Sequence, residues 1–239
     1  MMIYFWLILI VSVASLVKGV TGFGFSLISL PPLLIWYAPQ EIIPVLIFCN
    51  LFASSVIVLQ KKDRKLVNRQ FQSLIVYGAL FTIVGVLILK YLSEEILITI
   101  MSVFFILLSV FSLLGIKYSI RLSNWSYRIV GMFLGFLTGS ISISGPPLAL
   151  FLHSAKVDNQ EFREIFSWFS IVTAFIALFG YAVLGLLTIN TFKMTFLFLP
   201  LLYLGSFVGK RLNSSISSSL FKNISVLITL LSSLFLLLN

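Results

Sequence analysis

Apolar stretches, separated by short polar or glycine-rich segments, follow one another along the whole chain. A helix of roughly 20 apolar residues crosses the hydrocarbon core of a membrane, which is about 30 Å thick. We therefore predict an all-α fold, a polytopic transmembrane helical bundle. The ten predicted helices are residues 3–17, 22–37, 42–60, 71–89, 95–116, 129–141, 143–155, 164–187, 192–209 and 220–238.

The ten stretches form two sets of five, because the chain matches itself at an offset of 120 residues. Glycine, lysine and a Gln-Glu pair recur at this single offset, which is unusual in so apolar a sequence. The matched positions are Gly19 and Gly139, Gln40-Glu41 and Gln160-Glu161, Gly85 and Gly205, and Lys90 and Lys210. We predict two transmembrane repeats, residues 1–120 and 121–239.

The first two stretches of each repeat are short for a full crossing and meet at segments rich in glycine, serine and proline. Proline removes a backbone donor, and glycine lowers helix propensity. Broken or re-entrant helices are therefore expected near the start of each repeat. The prolines assigned to these breaks are Pro31, Pro32, Pro146 and Pro147.

Loop charge predicts that the second repeat is inverted. Residues 60–69 carry five basic side chains, whereas the counterpart near residues 180–190 carries none, and the following loop reverses this bias. Basic loops remain on the cytoplasmic side of a membrane. Inverted repeats with helices broken at matching places are typical of secondary transporters, whose substrate site lies near the midplane between the copies.

Composition narrows the function further. Hydrophobic residues make up 60% of the 239 positions and charged residues 10%, against about 45–50% and 25% in soluble domains. The net charge of +9 lies in short loops, where it sets orientation, so nucleic acid is not expected as a partner. One histidine and one cysteine cannot form a His/Cys metal cluster. We expect no enzyme, metal or cofactor.

The glycine- and serine-rich segments carry the candidate substrate-binding residues. Glycine lets backbone approach a ligand closely, and an interrupted helix exposes N–H groups that favour an anion. The alternative is that small residues only permit close helix packing, as in the Gly135 to Gly139 motif. The candidates are Lys18, Thr21, Gly22, Gly24, Ser26, Asn50, Thr138, Ser140, Ser142, Ser144, Gly145 and Ser170.

Other polar residues admit two interpretations each. Lys18 either supplies positive charge to an anion site or extends to the membrane surface. Asn50 and Ser170 either face the site or bond between helices. His153 is expected in a cytoplasmic loop, with proton relay as the alternative. Glu41, with its matched Glu161, is expected in the first turn of a helix, where the preceding glutamine can help as a cap.

The two segments resemble the glycine-rich runs of the sulfite exporter TauE/SafE family, loosely Gly-x-Gly-Gly-Gly with a proline soon after. The matching segments are Gly22-Phe23-Gly24-Phe25-Ser26 with Pro31, and Ser142-Ile143-Ser144-Gly145-Pro146. The resemblance covers essentially the whole chain, but Phe25, Ser26 and the serines of the second run replace glycines, which leaves the particular anion open. It implies a permease or exporter of the cytoplasmic (inner) membrane that moves sulfite, sulfonates or related organosulfur compounds.

Together, the repeats and the resemblance predict a secondary transporter for a small anion that works by alternating access, with one repeat rocking against the other. The alternatives are an anion channel and a structural membrane protein that transports nothing. The expected partners are the lipid bilayer and a small anionic substrate. Direction of transport, a coupling ion and homo-oligomer formation are left open by the sequence.

Overall fold

The computed structural model describes residues 2–59, 69–114, 123–155, 157, 159–212 and 218–238. Within these residues it contains ten helices, one for each predicted apolar stretch, so the all-α prediction is confirmed. The helices are α1 (Met2–Thr21), α2 (Phe25–Leu33), α3 (Pro39–Leu59), α4 (Arg69–Tyr91), α5 (Glu94–Leu114), α6 (Asn124–Ile141), α7 (Gly145–Ser154), α8 (Asn159–Val183), α9 (Ile189–Leu212) and α10 (Ser218–Leu238).

Six helices in the described part of the chain, α1, α3, α4, α5, α8 and α9, are long and apolar enough to cross a membrane. The expectation that the first stretch is too short is wrong for α1, whose 20 residues continue through Lys18 to Thr21. By contrast, α2 has 9 residues and α7 has 10. At 1.5 Å per residue each is only about 15 Å long, half of the hydrocarbon thickness.

Large apolar side chains are exposed along most of the helices, as on Trp6, Phe175 and Phe196. A soluble protein rarely exposes contiguous apolar surface of this extent, whereas a membrane protein turns it toward lipid. The exposed surface and the six apolar helices identify a multi-pass membrane protein.

The two halves of the sequence have the same helix register. The chain leaves α1 after Thr21 and enters α2 at Phe25; it leaves α6 after Ile141 and enters α7 at Gly145, in each case 120 residues later. The starts of α3 and α8, and of α4 and α9, are also 120 residues apart. We call Gly22–Gly24 the first break and Ser142–Ser144 the second break. The inversion of the second repeat stays a prediction, because most of the basic loop at 60–69 lies outside the described residues.

The chain forms two compact units, each with helices from both halves of the sequence. Unit 1 comprises Met1–Leu46, Leu92–Lys117 and Thr188–Asn239, and unit 2 comprises Ile47–Tyr91 and Tyr118–Leu187. Unit 1 therefore contains α1, α2, α5, α9 and α10 with the start of α3. Unit 2 contains α4, α6, α7 and α8 with the end of α3.

The main helix pairs of the two units are related by the same 120-residue offset. In unit 1, α1 packs on α9, and in unit 2, α6 packs on α4. A methyl group added to Gly19 would overlap the carbonyl oxygen of Ser206, and one added to the matched Gly139 would meet Thr82 and Val86. Val86 lies 120 residues before Ser206, just as Gly19 lies 120 residues before Gly139. Matched positions of the sequence therefore make both contacts. Each half of the sequence thus contributes its first helix to one pair and its fourth helix to the other.

Candidate functional site

The first break lies in unit 1 and is produced by glycine. Helix α1 ends because Gly22 has a φ of 86°, in the left-handed region, and its N–H donates to the carbonyl of Lys18 at 2.8 Å. Gly24, at a φ of 92°, then directs the chain into α2. Only glycine adopts this conformation at little cost, which explains the spacing of the two glycines. The Thr21 hydroxyl fastens the turn, lying 2.7 Å from the carbonyl oxygen of Phe23.

Lys18 places a positive charge at this break. Lys18 is only 3% exposed, so this charged residue is buried within an otherwise apolar helix. The ammonium Nζ lies 5.9 Å from the centre of the Phe25 ring, and Phe25 is the first residue of α2. The charge therefore lies inside unit 1, near the N-terminal end of α2, where the first-turn N–H groups are located.

The second break lies in unit 2 and has a serine where the first break has a glycine. Ser142 has a φ of 58°, and its N–H donates to the carbonyl of Thr138 at 3.0 Å, as Gly22 does to Lys18. The left-handed conformation costs a residue that has a side chain about 1–2 kcal/mol. The amide Nδ2 of Asn50 donates to the Ser142 hydroxyl at 3.2 Å and helps to hold it. Asn50 and Ser142, both predicted site residues, are thus brought together.

The two breaks differ in the backbone donors that follow them. Each of the first three residues of α2, Phe25–Leu27, carries an N–H group. In α7 the first residue, Gly145, has one, but Pro146 and Pro147 have none. The positive end of a helix binds anions through these N–H groups. The first break is therefore the better equipped of the two for an anion.

Hydroxyl groups at the end of α6 already use their hydrogen atoms. Thr138 Oγ1 donates to the carbonyl of Leu134 at 2.8 Å, and Ser140 Oγ donates to that of Phe136 at 2.7 Å. Because a hydroxyl has a single hydrogen, these two side chains can only accept in this conformation. Three further predicted residues, Ser26, Ser144 and Ser170, are buried at 4%, 7% and 6% exposure.

The prolines do not interrupt a helix, contrary to expectation. Pro31-Pro32 lies inside α2, shortly before its end, and Pro146-Pro147 lies in the first turn of α7. A first-turn proline loses nothing, because that N–H has no helical partner. Inside α2, Pro31 cannot donate to the carbonyl of Leu27. The hydroxyl of Thr229, in α10, donates to this carbonyl instead, at 3.2 Å.

Glycines in α6 serve packing rather than a site. A methyl group on Gly131, Gly135 or Gly139 would overlap the backbone of Leu74, Gly78 or Thr82, respectively. Both sets advance by four residues, so α4 and α6 run in the same direction with their backbones in contact. The packing interpretation therefore accounts for Gly135 and Gly139. The glycines of the first break have a different role, since they set the direction of the chain.

The sequence did not single out Tyr181, which is fully buried in α8 and donates its hydroxyl to the carbonyl of Gly139 at 2.7 Å. The last carbonyls of a helix have no donor within it, and Gly139 lies in the last turn of α6. Tyr181 therefore stabilises the helix end just before the second break. The only sequence signal was a tyrosine within the apolar stretch 164–187.

The remaining polar predictions have mixed outcomes. Glu41 and Glu161 lie in the first turns of α3 and α8, as predicted. Gln40, expected as a cap, instead donates from Nε2 to the carbonyl of Leu92 at 3.3 Å. His153 lies in the last turn of α7 rather than in a loop, and its side chain is outside the described part of the structure.

Comparison with known proteins agrees with the resemblance. The family described as sulfite exporter TauE/SafE matches residues 7–236, which include both breaks. No curated protein and no solved structure gives a match. The family consists of transporters rather than enzymes. Because the match covers nearly the whole chain and the helices are those of a multi-pass membrane protein, the chain belongs to the sulfite exporter TauE/SafE family of membrane transporters.

Proposed function

We propose that the protein is a secondary transporter that moves a small anion, sulfite, a sulfonate or a related organosulfur compound, across the cytoplasmic membrane by alternating access. Each helix break, within its own unit, offers groups that bind an anion in this proposal. The observation that carries it is the buried ammonium of Lys18 at a helix break whose position recurs 120 residues later.

The first break supplies the main anion-binding groups. The Lys18 ammonium lies beside Phe25, so charge and first-turn N–H groups are at the same end of α2. In this proposal an anion bound beside this ammonium pairs with its charge. Gly22 and Gly24 have no side chains, so an anion can approach the backbone between the helices.

The second break supplies neutral groups. Asn50 and Ser142 form a hydrogen-bonded pair, and Ser144 and Gly145 follow directly along the chain. An asparagine amide carries two N–H groups and a serine hydroxyl both donates and accepts, so such groups orient an oxyanion without adding charge. Ser170, which aligns with Asn50 at the 120-residue offset, is a further neutral group in unit 2.

Alternating access requires parts that move as bodies, and the two compact units are the bodies available. Close backbone contacts connect α1 to α9 and α4 to α6, and each of these pairs joins the two halves of the sequence. Movement of residues 1–120 against 121–239 would have to separate these contacts. Movement of unit 1 against unit 2 would preserve both of them.

The experiment is flux through liposomes that contain the purified full-length protein. We expect labelled sulfite or methanesulfonate to enter faster than into empty vesicles, with a rate that saturates and with counterflow against unlabelled anion. Flux that fails to saturate and shows no counterflow would support a channel instead. No flux above empty vesicles for a broad panel of organosulfur anions would contradict the proposal.

A further inference from the structure

We infer that unit 2 binds a phospholipid with a net negative headgroup at Arg128, in the groove between α4 and α6. The headgroup phosphate pairs with the guanidinium, and an acyl chain lies along the exposed apolar side chains next to it. Arg128 is near the start of α6, whereas the second break follows the end of this helix. The lipid site is therefore separate from the candidate anion site, and the inference goes beyond the proposed function.

Two aromatic rings hold the guanidinium of Arg128. Its Cζ lies 5.4 Å from the ring centre of Trp125, one turn earlier on α6, and 5.7 Å from that of Tyr77 on α4. Aromatic faces attract the charge, whereas the planar fork of N–H groups fits the oxygens of a phosphate. The rings therefore place Arg128 between the two helices, in a position to donate to an oxyanion.

Arg128 lies on a surface that faces lipid, near the end of a helix. Its neighbours Trp125 and Ile129 are 66% and 59% exposed, and Arg128 itself is half-buried. Helix α6 begins at Asn124, so Arg128 is about one turn inside it. Tryptophan and tyrosine concentrate where the headgroups meet the hydrocarbon. These features place the guanidinium at the depth of the lipid headgroups.

An apolar strip continues from the charged site along α4. Phe81 and Val84 follow Tyr77 at spacings of four and seven residues, so all three lie on one face of the helix. Phe81 is 36% exposed and Val84 is 42% exposed. The strip extends about 10 Å from Tyr77. A lipid can place its phosphate at Arg128 and an acyl chain on this strip, whereas a free phosphate ion would use the charge alone.

The surrounding charge favours an anionic headgroup. Residues 60–69, which lead into α4, contain five basic side chains and one acidic side chain; residues 115–123, which lead into α6, contain two basic side chains and no acidic one. Because α4 and α6 begin on the same side, the charge rule for loops assigns both segments to the cytoplasmic face. Each Lys or Arg near a membrane surface favours an anionic lipid about fivefold.

Trp125 can report on the lipid that occupies the site. In full-length protein with Trp6, Trp36 and Trp168 replaced by phenylalanine, Trp125 is the only tryptophan. The protein is placed in phosphatidylcholine vesicles, where acyl-brominated phosphatidylglycerol or phosphatidylcholine replaces part of the lipid and quenches nearby tryptophan fluorescence. We expect phosphatidylglycerol to bind beside Trp125 about fivefold more tightly than phosphatidylcholine.

Trp6 provides the matched control for the tryptophan. It is 44% exposed on α1, and residues 1–17 contain no basic side chain. In protein that keeps Trp6 alone, we expect both brominated lipids to quench about equally. This comparison separates a preference of the Arg128 site from a general effect of anionic lipid on the protein.

Three variants connect the preference to Arg128. We expect Arg128→Gln to lower it below about twofold and Arg128→Lys, which keeps the charge, to retain most of it. Lys90→Gln is the charge control, because Lys90 is an exposed lysine at the other end of α4. It should leave the preference unchanged. A single symmetric peak on size-exclusion chromatography verifies that each variant is folded.

Equal quenching by the two lipids at Trp125, or an unchanged preference in folded Arg128→Gln, would overturn the inference. Loss of the preference on adding methanesulfonate, but not chloride at the same concentration, would assign Arg128 to the transported anion and would also overturn it. If a single-tryptophan protein does not fold, the difference in quenching between the unchanged protein and Trp125→Phe gives the same comparison. If Arg128→Gln does not fold, the contrast between Trp125 and Trp6 decides.

Discussion

The contact between α4 and α6 depends on a close approach of two backbones, and one methyl group should disrupt it. Gly135 lies against Gly78, where an added Cβ would be 2.7 Å from the Gly78 Cα and nearer still to its carbonyl oxygen. Ordinary carbon contacts are about 3.5–4.0 Å. In Gly135→Ala the helices must therefore separate by about 1 Å at this point.

The energetic consequence extends beyond Gly135 itself. Gly131 and Gly139, one turn before and one turn after, make the same kind of contact with α4, so a local separation weakens all three. Inserting a methyl group into a tightly packed interface costs typically 1–3 kcal/mol. We expect Gly135→Ala to lower the free energy of unfolding by about 2 kcal/mol.

Gly180→Ala is the matched control in the same unit. Its added Cβ would lie 2.9 Å from Cγ1 of Val86, a side-chain atom, rather than from backbone. We expect a loss of less than about 1 kcal/mol. Unfolding in detergent, titrated with a denaturing surfactant, measures both variants. Equal stability of Gly135→Ala and the unchanged protein would refute close backbone packing as the basis of this interface.

Three further changes test individual hydrogen bonds, each measured by the same unfolding titration. Asn50→Ala removes the donor to Ser142 at the second break and should cost about 1 kcal/mol; no loss would mean that the pair does not hold the break. Thr229→Val removes the donor to the carbonyl of Leu27, which has no helical partner because of Pro31. We expect the free energy of unfolding to fall by about 0.6–1.7 kcal/mol. Thr99→Val, which removes an exposed hydroxyl that bonds within its own helix, is the control. Tyr181→Phe should cost about as much, because the carbonyl of Gly139 is left buried; equal stability would show that another donor replaces the tyrosine.

Much of the fold could be predicted from sequence because its elements follow local rules. Apolar length located all ten helices, and the 120-residue offset located both breaks in equivalent positions. Glycine at positive φ is a local requirement, so Gly22 and Gly24 were predictable as the first break. The first predicted helix, residues 3–17, stops short of the observed end of α1 at Thr21, because α1 continues through the buried Lys18.

The role of the prolines was not predictable from their presence alone. A proline interrupts a helix in its interior but is neutral in the first turn, and the outcome depends on where the helix begins. In α7 the helix begins at Gly145, directly before Pro146-Pro147. In α2 the lost bond is replaced by Thr229, about 200 residues away in sequence, which no local pattern indicates.

Side-chain contacts between residues far apart in the sequence could not be predicted from local sequence patterns. Asn50 was a candidate from its position in an apolar helix, but its partner Ser142 is 92 residues away. The same holds for Gly139, which contacts α4 through its backbone and Tyr181 through its carbonyl. These contacts depend on which helix faces which, and that is decided by packing of the whole unit.

The central claim is that the anion reaches the helix break of each unit, and cysteine labelling tests it most directly. Cys49, the only cysteine, is first replaced by alanine. Ser26→Cys and Ser144→Cys are then treated, in liposomes, with a charged thiol reagent that does not cross the membrane, and Ser109→Cys, a buried serine in α5, is the control. The account predicts that both break cysteines react, that methanesulfonate slows the reaction, and that the control stays unlabelled. Break cysteines that remain as unreactive as the control, in protein that still transports the anion, would contradict it.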